Sequence, residues 1–507
     1  MQKFLESYGI LVQENIKDKN VEIDKNTITI HNSNISEIDL NILKQKQINK
    51  ITITNCEINY IYFTGDNNIE LFFTDCVFKN QIIAIAVLFN KEVIFSRCIF
   101  EKRINFAYAI FNSYVDLTET MFKNEVRFIM TQFLADQTTA GIIENNFSEA
   151  VFKDKVSFAM AKFKARVSFS MTHFEGKARF IDTSFFKNTV IFSEVEFNNI
   201  KFISDKKLNE TNTNNIVDQI YHFQDTTFKG IVNFENTYIK DLNFKNVIFN
   251  NIVVFDNAAL YNKPKFINCT FSNQFNIKQE HIQYNFKDIN KDSNNLINLP
   301  NLENTNKDDD FTKPSNLRDL FRKLKSNHIA HHNLIDASEL RAQELYAREL
   351  ELKHKKNKKL KETIEQYQLF FYHKLCDHHT DLILNLKWLI ISIGIFASML
   401  FMIKLYKCGL SILNIFNFYG LYLSALGSFI LSALALFRCI DKMKAFVSII
   451  LWVICYKPKL IFGIANLIGD NSYNAFENLL ITIYTLIAGL IIFSLQKTAR
   501  KNTIIPN

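Results

Sequence analysis

The sequence predicts a narrow β-solenoid, then an α-helical hairpin, then a transmembrane α-helical bundle, and three observations carry that expectation. Phenylalanines recur at alternating steps of five and six residues, a small or β-branched residue stands two places before the central ones, and long apolar runs crowd the last part of the 507-residue chain. A fixed short repeat of this kind belongs to neither an amphipathic helix nor an ordinary strand. It marks a solenoid, whose units hide their apolar residues only by stacking on one another.

Residues 1–50 are expected to cap the repeat, which runs over 51–286. The clearest stretch is Phe147, Phe152, Phe158, Phe163, Phe169, Phe174, Phe180, Phe185. An earlier one, Phe95, Phe100, Phe106, Phe111, Leu117, Phe122, Phe128, Phe133, keeps the same beat, and a third extends from Phe223 to Phe271 with one step shortened. These phenylalanines are the expected structural core. Ala109, Thr120, Val126, Ala150, Val156, Ala161, Val167, Ala178 and Thr183 occupy the position two residues earlier. A large and a small residue pointing inward together suit a square coil, the aromatic filling the axis and the small side chain fitting where the wall comes close to it.

This small-x-Phe pattern resembles the pentapeptide-repeat proteins, and the 5+6 spacing is similar to their Phe-centred subclass. The resemblance covers about Ile51 to Phe275 and implies a right-handed quadrilateral β-helix. With about 22 residues per turn, nine or ten coils at a strand spacing of ~4.8 Å give a rod roughly 45 Å long. Two stretches break the beat, 134–146 and 203–222, and are expected to be tolerated loop insertions.

Charge and cysteine narrow the function. The chain carries a net +8, but residues 51–286 hold 24 Lys/Arg against 25 Asp/Glu. The best-known relatives that the resemblance brings in are acidic rods that imitate DNA and bind DNA gyrase. A rod without a negative excess lacks the phosphate-like charge such mimicry needs. Cys56, Cys76, Cys98 and Cys269 fall in the small inward slot, so buried free thiols are expected there rather than ligands. No C-x-x-C occurs, and the first twenty residues carry no signal-peptide pattern, which fits a reducing cytosolic setting for the solenoid.

Residues 287–316 are rich in Asn, Asp and Lys and read as a polar linker. Residues 317–375 then read as a cytoplasmic helical hairpin. Leu317, Leu320, Phe321 and Leu324 recur at helical spacing, and a second helix is expected to open near Asp336. His328 and His332 have the i, i+4 spacing of a zinc pair, but no facing carboxylate or thiol is evident, so a solvated helix face is expected. His378 and His379 are expected to lie at a membrane interface. Lys353, Lys355, Lys356, Lys358, Lys359 and Lys361 form a dense basic run. Without aromatic interleaving it suits anionic lipid at ~1 kcal/mol per charge better than nucleic acid.

The transmembrane domain is expected over 384–497, with spans near 388–406, 415–437 and 476–495. A fourth segment, 445–468, is interrupted by Lys457-Pro458-Lys459. The basic residues flanking these spans predict a multi-pass protein of the bacterial inner membrane, with the repeat domain and the C-terminus in the cytoplasm.

No paired carboxylates, nucleophile elbow, phosphate loop or zincin motif appears, so no enzyme, cofactor or metal is expected. The reading is a membrane-anchored scaffold whose rigid cytoplasmic β-helix binds protein. The alternative is a channel- or transporter-like protein with the rod as sensor. The expected partners are the membrane itself and a protein the sequence does not identify, a second copy of the chain being one candidate. Nucleic acid is not favoured.

Overall fold

The computed structural model describes residues 2–13, 17–63, 65–135, 144–202, 219–282, 314–355, 357–409, 418–437, 441–456 and 474–502. Most of both expected insertions, most of the linker and the Lys457-Pro458-Lys459 interruption therefore lie outside the described residues. The chain divides into two compact units, Met1–Ala337 and Ser338–Asn507.

The first unit is a parallel β-solenoid. Val93 pairs with Val115, Phe100 with Phe122, Ile104 with Val126 and Ile110 with Gln132, so one turn consumes 22 residues. Across the first insertion Met121 pairs with Val151, 30 residues on, and across the second Thr189 pairs with Ile220, 31 residues on. The ladder resumes in register each time. The shortened step shows as one 21-residue turn, Phe223 opposite Phe244, before Phe249 meets Phe271 at 22 again.

The alternation of five and six has a backbone cause. In each five-residue step of the runs 106–133 and 147–185 the chain turns through a residue with positive φ: Tyr108, Glu119, Met130, Glu149, Met160, Met171 and Asp182 lie between 50° and 61°. The amide of Ala161 donates to the carbonyl of Phe158 at 3.0 Å, and Ala109 does the same to Phe106 at 3.0 Å. A left-handed third residue inside a four-residue turn of this kind is a type II turn. The six-residue steps carry no such residue and round their corner with one more.

Four columns of rings fill the axis, one for each wall. One runs Phe78, Phe100, Phe122, Phe152, Phe174, Phe197, Phe228, with successive centroids 4.6, 5.2, 4.8, 5.2, 4.9 and 5.4 Å apart. A second runs Phe89, Phe111, Phe133, Phe163, Phe185 at 4.6, 5.3, 4.5 and 5.5 Å. Near-parallel rings at these separations fall in the range of offset stacking, one of the two arrangements aromatic pairs prefer. The strand spacing of ~4.8 Å sets that separation, and edge-on contacts between columns supply the other arrangement, as with Phe147 against Phe158 at 5.7 Å and 80°.

The small slot also holds donors. The hydroxyls of Thr131, Thr172 and Thr183 donate to the carbonyls of Phe106, Phe147 and Phe158, each 25 residues back, at 2.8, 2.9 and 2.8 Å. The thiols of Cys76, Cys98 and Cys269 sit over Ile53, Phe73 and Phe244 in the same way at 3.4, 3.4 and 3.6 Å. All four solenoid cysteines are free and buried, and burial pushes the Cys56 and Cys269 thiols up to about 12.

Both ends of the ladder are covered. The parallel pairing begins at Thr27–His31, upstream of the expected start at Ile51. Two antiparallel pairings, Val21–Asp24 with Thr27–His31 and Ile10–Val12 with Asn34–Asp39, close the first coil. Such reversals deny a free edge to other chains. Two short helices, α1 (Gln2–Ser7) and α2 (Leu40–Gln45), complete this cap, and α3 (Gln279–Ile282) follows the last coil.

Helix α4 (Pro314–Ala330) belongs to the solenoid unit and covers its final coil, contacting Lys265–Ile267, Thr270–Phe271 and Phe275–Asn276. Leu317, Leu320, Phe321 and Leu324, read from sequence as half of a hairpin, are buried. The Asn327 amide donates to the carbonyl of Asn273 at 2.7 Å, and its oxygen accepts the Phe275 amide at 3.4 Å, closing backbone groups that the last coil leaves open.

The second unit is helical: α5 (Leu334–His354), which begins just before it, then α6 (Leu360–Cys376), α7 (Leu382–Cys408), α8 (Phe418–Leu436), α9 (Lys442–Tyr456) and α10 (Ala475–Asn502). The helix expected to open near Asp336 is α5, and beyond the basic run the rest of the 317–375 segment forms a further helix, α6. Among the described residues, two stretches are long and apolar enough to cross a membrane, Leu382–Lys407 and Ala475–Ala499. The apolar stretches of α8 and α9 are shorter, Ala425–Leu436 and Met443–Trp452. α7 and α10 pack along their length through Ile390, Ile393, Phe396, Ile481, Tyr484 and Ala488, with Phe396 stacked on Tyr484 at 3.9 Å. α9 joins them because Gly394 has no side chain: a Cβ there would meet Ile450 Cδ1 at 2.6 Å.

Candidate functional site

Two places carry chemistry that packing alone does not require: the outer walls of the solenoid and the head of the helical unit. With the axis filled by rings, only the outward side chains of the coil can meet a partner. They form ladders along the stack. Glu57, Lys79, Glu101 and Lys123 alternate in charge at 3.4, 3.7 and 3.3 Å. Asn68, Asn90 and Asn112 pass amide hydrogen bonds at 2.7 and 2.8 Å. Arg97 grips Asp75 through two bonds, 2.8 and 3.0 Å, and this holds the Asp75 carboxyl below its ordinary value. Exposed ladders of this kind contribute little individually; they fix a regular, charge-balanced surface.

The head of the helical unit is built differently. α6 ends at Cys376, and the next three residues, Asp377, His378 and His379, all have positive φ, at 50°, 53° and 69°. Non-glycine residues avoid that region at a cost of roughly 1–2 kcal/mol each, so the turn is held from outside. The Asp377 amide donates to the His373 carbonyl at 3.0 Å and the His378 amide to that of Tyr372 at 3.2 Å. The Tyr346 hydroxyl of α5 donates to the Asp377 carboxylate, and Asp381 caps α7 by accepting the Leu384 amide at 2.8 Å.

The held turn carries the His378 side chain inward, fully buried, beside His373 of α6 and Glu349 of α5. His373 Nδ1 lies 3.2 Å and His378 Nε2 3.3 Å from Glu349 Oε2. One ligand atom from each of the three falls within 4.8 Å of the others. Burial raises the Glu349 pKa, but the facing imidazoles of His373 and His378 outweigh it and bring the carboxyl down to about 2. The Tyr346 ring stands edge-on to His378 at 4.7 Å, and Arg348 ties α5 to α6 through Glu365 at 2.9 Å. Beside this cluster Ser494 of α10 donates to Cys376 Sγ at 3.2 Å and accepts from the Asn385 amide of α7 at 3.0 Å. At the other end of the same helix pair Lys407 meets the buried Glu477 at 2.9 Å.

The structure places the sequence-derived residues as follows. Phe95, Phe100, Phe106, Phe111, Phe122, Phe128 and Phe133, and the series from Phe147 to Phe185, line the axis. His328 is buried in α4 rather than solvated, and α4 ends at Ala330, so His332 leaves the helix and the pair shares no helical face. His378 is not an interfacial side chain but the buried member of the cluster. Lys353, Lys355, Lys358, Lys359 and Lys361 gather where α5 gives way to α6, and Lys356 lies outside the described residues. Lys355 pairs with Glu362, and Lys358 donates to Gln366 at 2.8 Å. α6 turns outward Leu360, Ile364, Tyr367 and Phe371, an exposed apolar stripe that starts at the basic run. Glu349 and His373 were not read as site residues. They come together across two helices, and no local spacing announces them.

Parallel walls, a 22-residue turn and an aromatic axis define a β-solenoid. Residues 147–196 match the pentapeptide-repeat family (9 copies), and the β-solenoid continues on both sides of that stretch. No curated protein and no solved structure matches the chain.

Proposed function

We propose that this protein is a membrane-anchored scaffold that presents the outer walls of its pentapeptide-repeat rod to a protein partner in the bacterial cytoplasm. One observation carries the reading: the rod's interior is closed by stacked rings, so its chemistry lies on fixed exterior ladders. The near-even charge of those ladders disfavours nucleic acid and its mimicry. The two apolar helices supply the anchor. An even number of crossings keeps the rod and the basic C-terminal Lys497, Arg500 and Lys501 on one side, in line with the preference of basic flanks for the cytoplasm. The lysines of the α5–α6 connection, with the apolar stripe of α6, suit an interfacial helix resting on anionic lipid.

In-cell crosslinking from the outer walls tests this, using a photoreactive residue at Asn90 or Lys123. A single protein captured from the rod, and lost when neighbouring ladder residues are changed, supports the scaffold. No capture from any wall counts against it. The channel- or transporter-like alternative draws on the buried Glu477–Lys407 pair. Ion flux through liposomes holding the purified protein, with and without residues 1–310, would establish it in place of the scaffold.

A further inference from the structure

We propose that Glu349, His373 and His378 form a binding site for a divalent transition metal, zinc fitting best, which fastens α5 to the turn between α6 and α7. The donor set is two imidazoles and one carboxylate, the mixture first-row divalent ions take when a protein supplies three ligands and leaves one position open. The distances favour an ion over direct pairing. A charge-assisted N–H···O bond closes to about 2.7–2.9 Å, the separation that Lys407–Glu477 and Arg348–Glu365 reach, at 2.9 Å each. The two imidazoles instead stand 3.2 and 3.3 Å from the same carboxylate oxygen. Ligands at ~2.0–2.1 Å around a tetrahedral ion are about 3.3–3.4 Å apart, the edge of that tetrahedron.

Satisfaction of the buried atoms points the same way. Both ring nitrogens of His378 and Oε2 of Glu349 are buried without a hydrogen-bond partner among the described residues, and the His378 side chain is 0 % exposed. Buried polar atoms left this way are costly. A cation between Nε2 and Oε2 would satisfy both at once. The three left-handed residues that aim His378 inward are a local strain of the sort found at ligand clamps. The turn lies immediately before Leu382, where the first membrane helix starts, so an ion here would stiffen the junction between the cytoplasmic helices and the span.

The test uses full-length protein in detergent micelles, stripped with chelator, loaded with Zn²⁺ alone, desalted, and assayed for metal per chain. The expected result is one tightly held equivalent, with Glu349→Gln and His378→Ala each weakening retention at least tenfold. Changing the exposed His331 and His332 should have no effect. Co²⁺ loading of the unmodified protein should give the intense visible bands of a four-coordinate site, a readout that depends on no variant folding. Failure of the unmodified protein to retain zinc would show a bare His–Glu–His ion network and overturn the proposal. So would equal retention by Glu349→Gln, or a weak six-coordinate Co²⁺ spectrum.

Discussion

Truncating one ring of the axis should loosen a defined stretch of the rod, and Phe158 is the place to do it. Its side chain is fully buried. It is stacked at 5.1 Å on Phe128 below and at 5.1 Å on Phe180 above, and meets Phe147 and Phe169 edge-on at 5.7 and 5.6 Å. Phe→Ala in a packed core costs about 3–5 kcal/mol, depending on how far the site collapses. Here it can collapse little, because the Phe158 amide bonds to Arg179 O at 2.8 Å and neighbouring strands do likewise, holding the coil spacing. Phe158→Ala should therefore fall in the upper part of that range. Met160, two residues on, points outward and is 38 % exposed, so Met160→Ala should change stability by no more than about 0.5 kcal/mol. Coils in a solenoid are coupled mainly to their neighbours. Hydrogen exchange followed by mass spectrometry on the full-length protein should then show amides of residues 126–180 exchanging about three to four powers of ten faster, with those of residues 28–78 unchanged. If Phe158→Ala and Met160→Ala gave equal effects, or if the loss spread evenly over the rod, the aromatic column would not be what holds the coils.

Thr183→Val keeps the shape of the small slot but leaves the Phe158 carbonyl without its hydroxyl donor, and should lower stability by about 1–3 kcal/mol in urea unfolding. Gly176→Ala would bring a Cβ to 2.2 Å from the backbone oxygen of Asp154. It should destabilise the adjoining coils by about 1–3 kcal/mol, and an unaltered melting temperature would refute the close approach. In α4, burial raises the Asp319 pKa, but Lys323 at 2.8 Å and Arg322 lower it further, so it lies below its ordinary value. A carboxylate lowered on folding contributes stability above its unfolded pKa and loses it as pH falls through the folded one. The melting-temperature gap between the unmodified protein and Asp319→Asn should accordingly be full at pH 6 and shrink below about pH 4.

The rod was legible because its signal is local and repeated: a ring every five or six residues, with a small partner two places earlier, admits few other structures. What the spacing did not disclose was the cause of the alternation, since positive φ at Met160 or Tyr108 follows from the closed coil and not from any preference of Met or Tyr. The helical spacing of α4 is plain in the sequence, but the surface it packs against is not. Its apolar face fits a hairpin or a cap equally well, and Asn327 reveals the choice only through three-dimensional hydrogen bonds. The cluster at the head of the helical unit was hardest to see. His378 has no partner at helical spacing, because Glu349 and His373 lie 29 and 5 residues upstream on separate helices. Neighbouring residues in a helix announce a shared face, whereas a three-element junction has no period to detect.

The left-handed corners differ along the rod. In the first coils they are Asn32, Asn55 and Asp75, at the middle Met130, Glu149, Met160 and Met171, and towards the end Asn236, Asn246, Asn257 and Asn268. Asparagine enters that conformation far more readily than methionine or glutamate. Both ends of the rod are thus easier to wind than its middle. The central coils depend most on the neighbours above and below to hold their corners, and a break in the aromatic column there should be the hardest to repair.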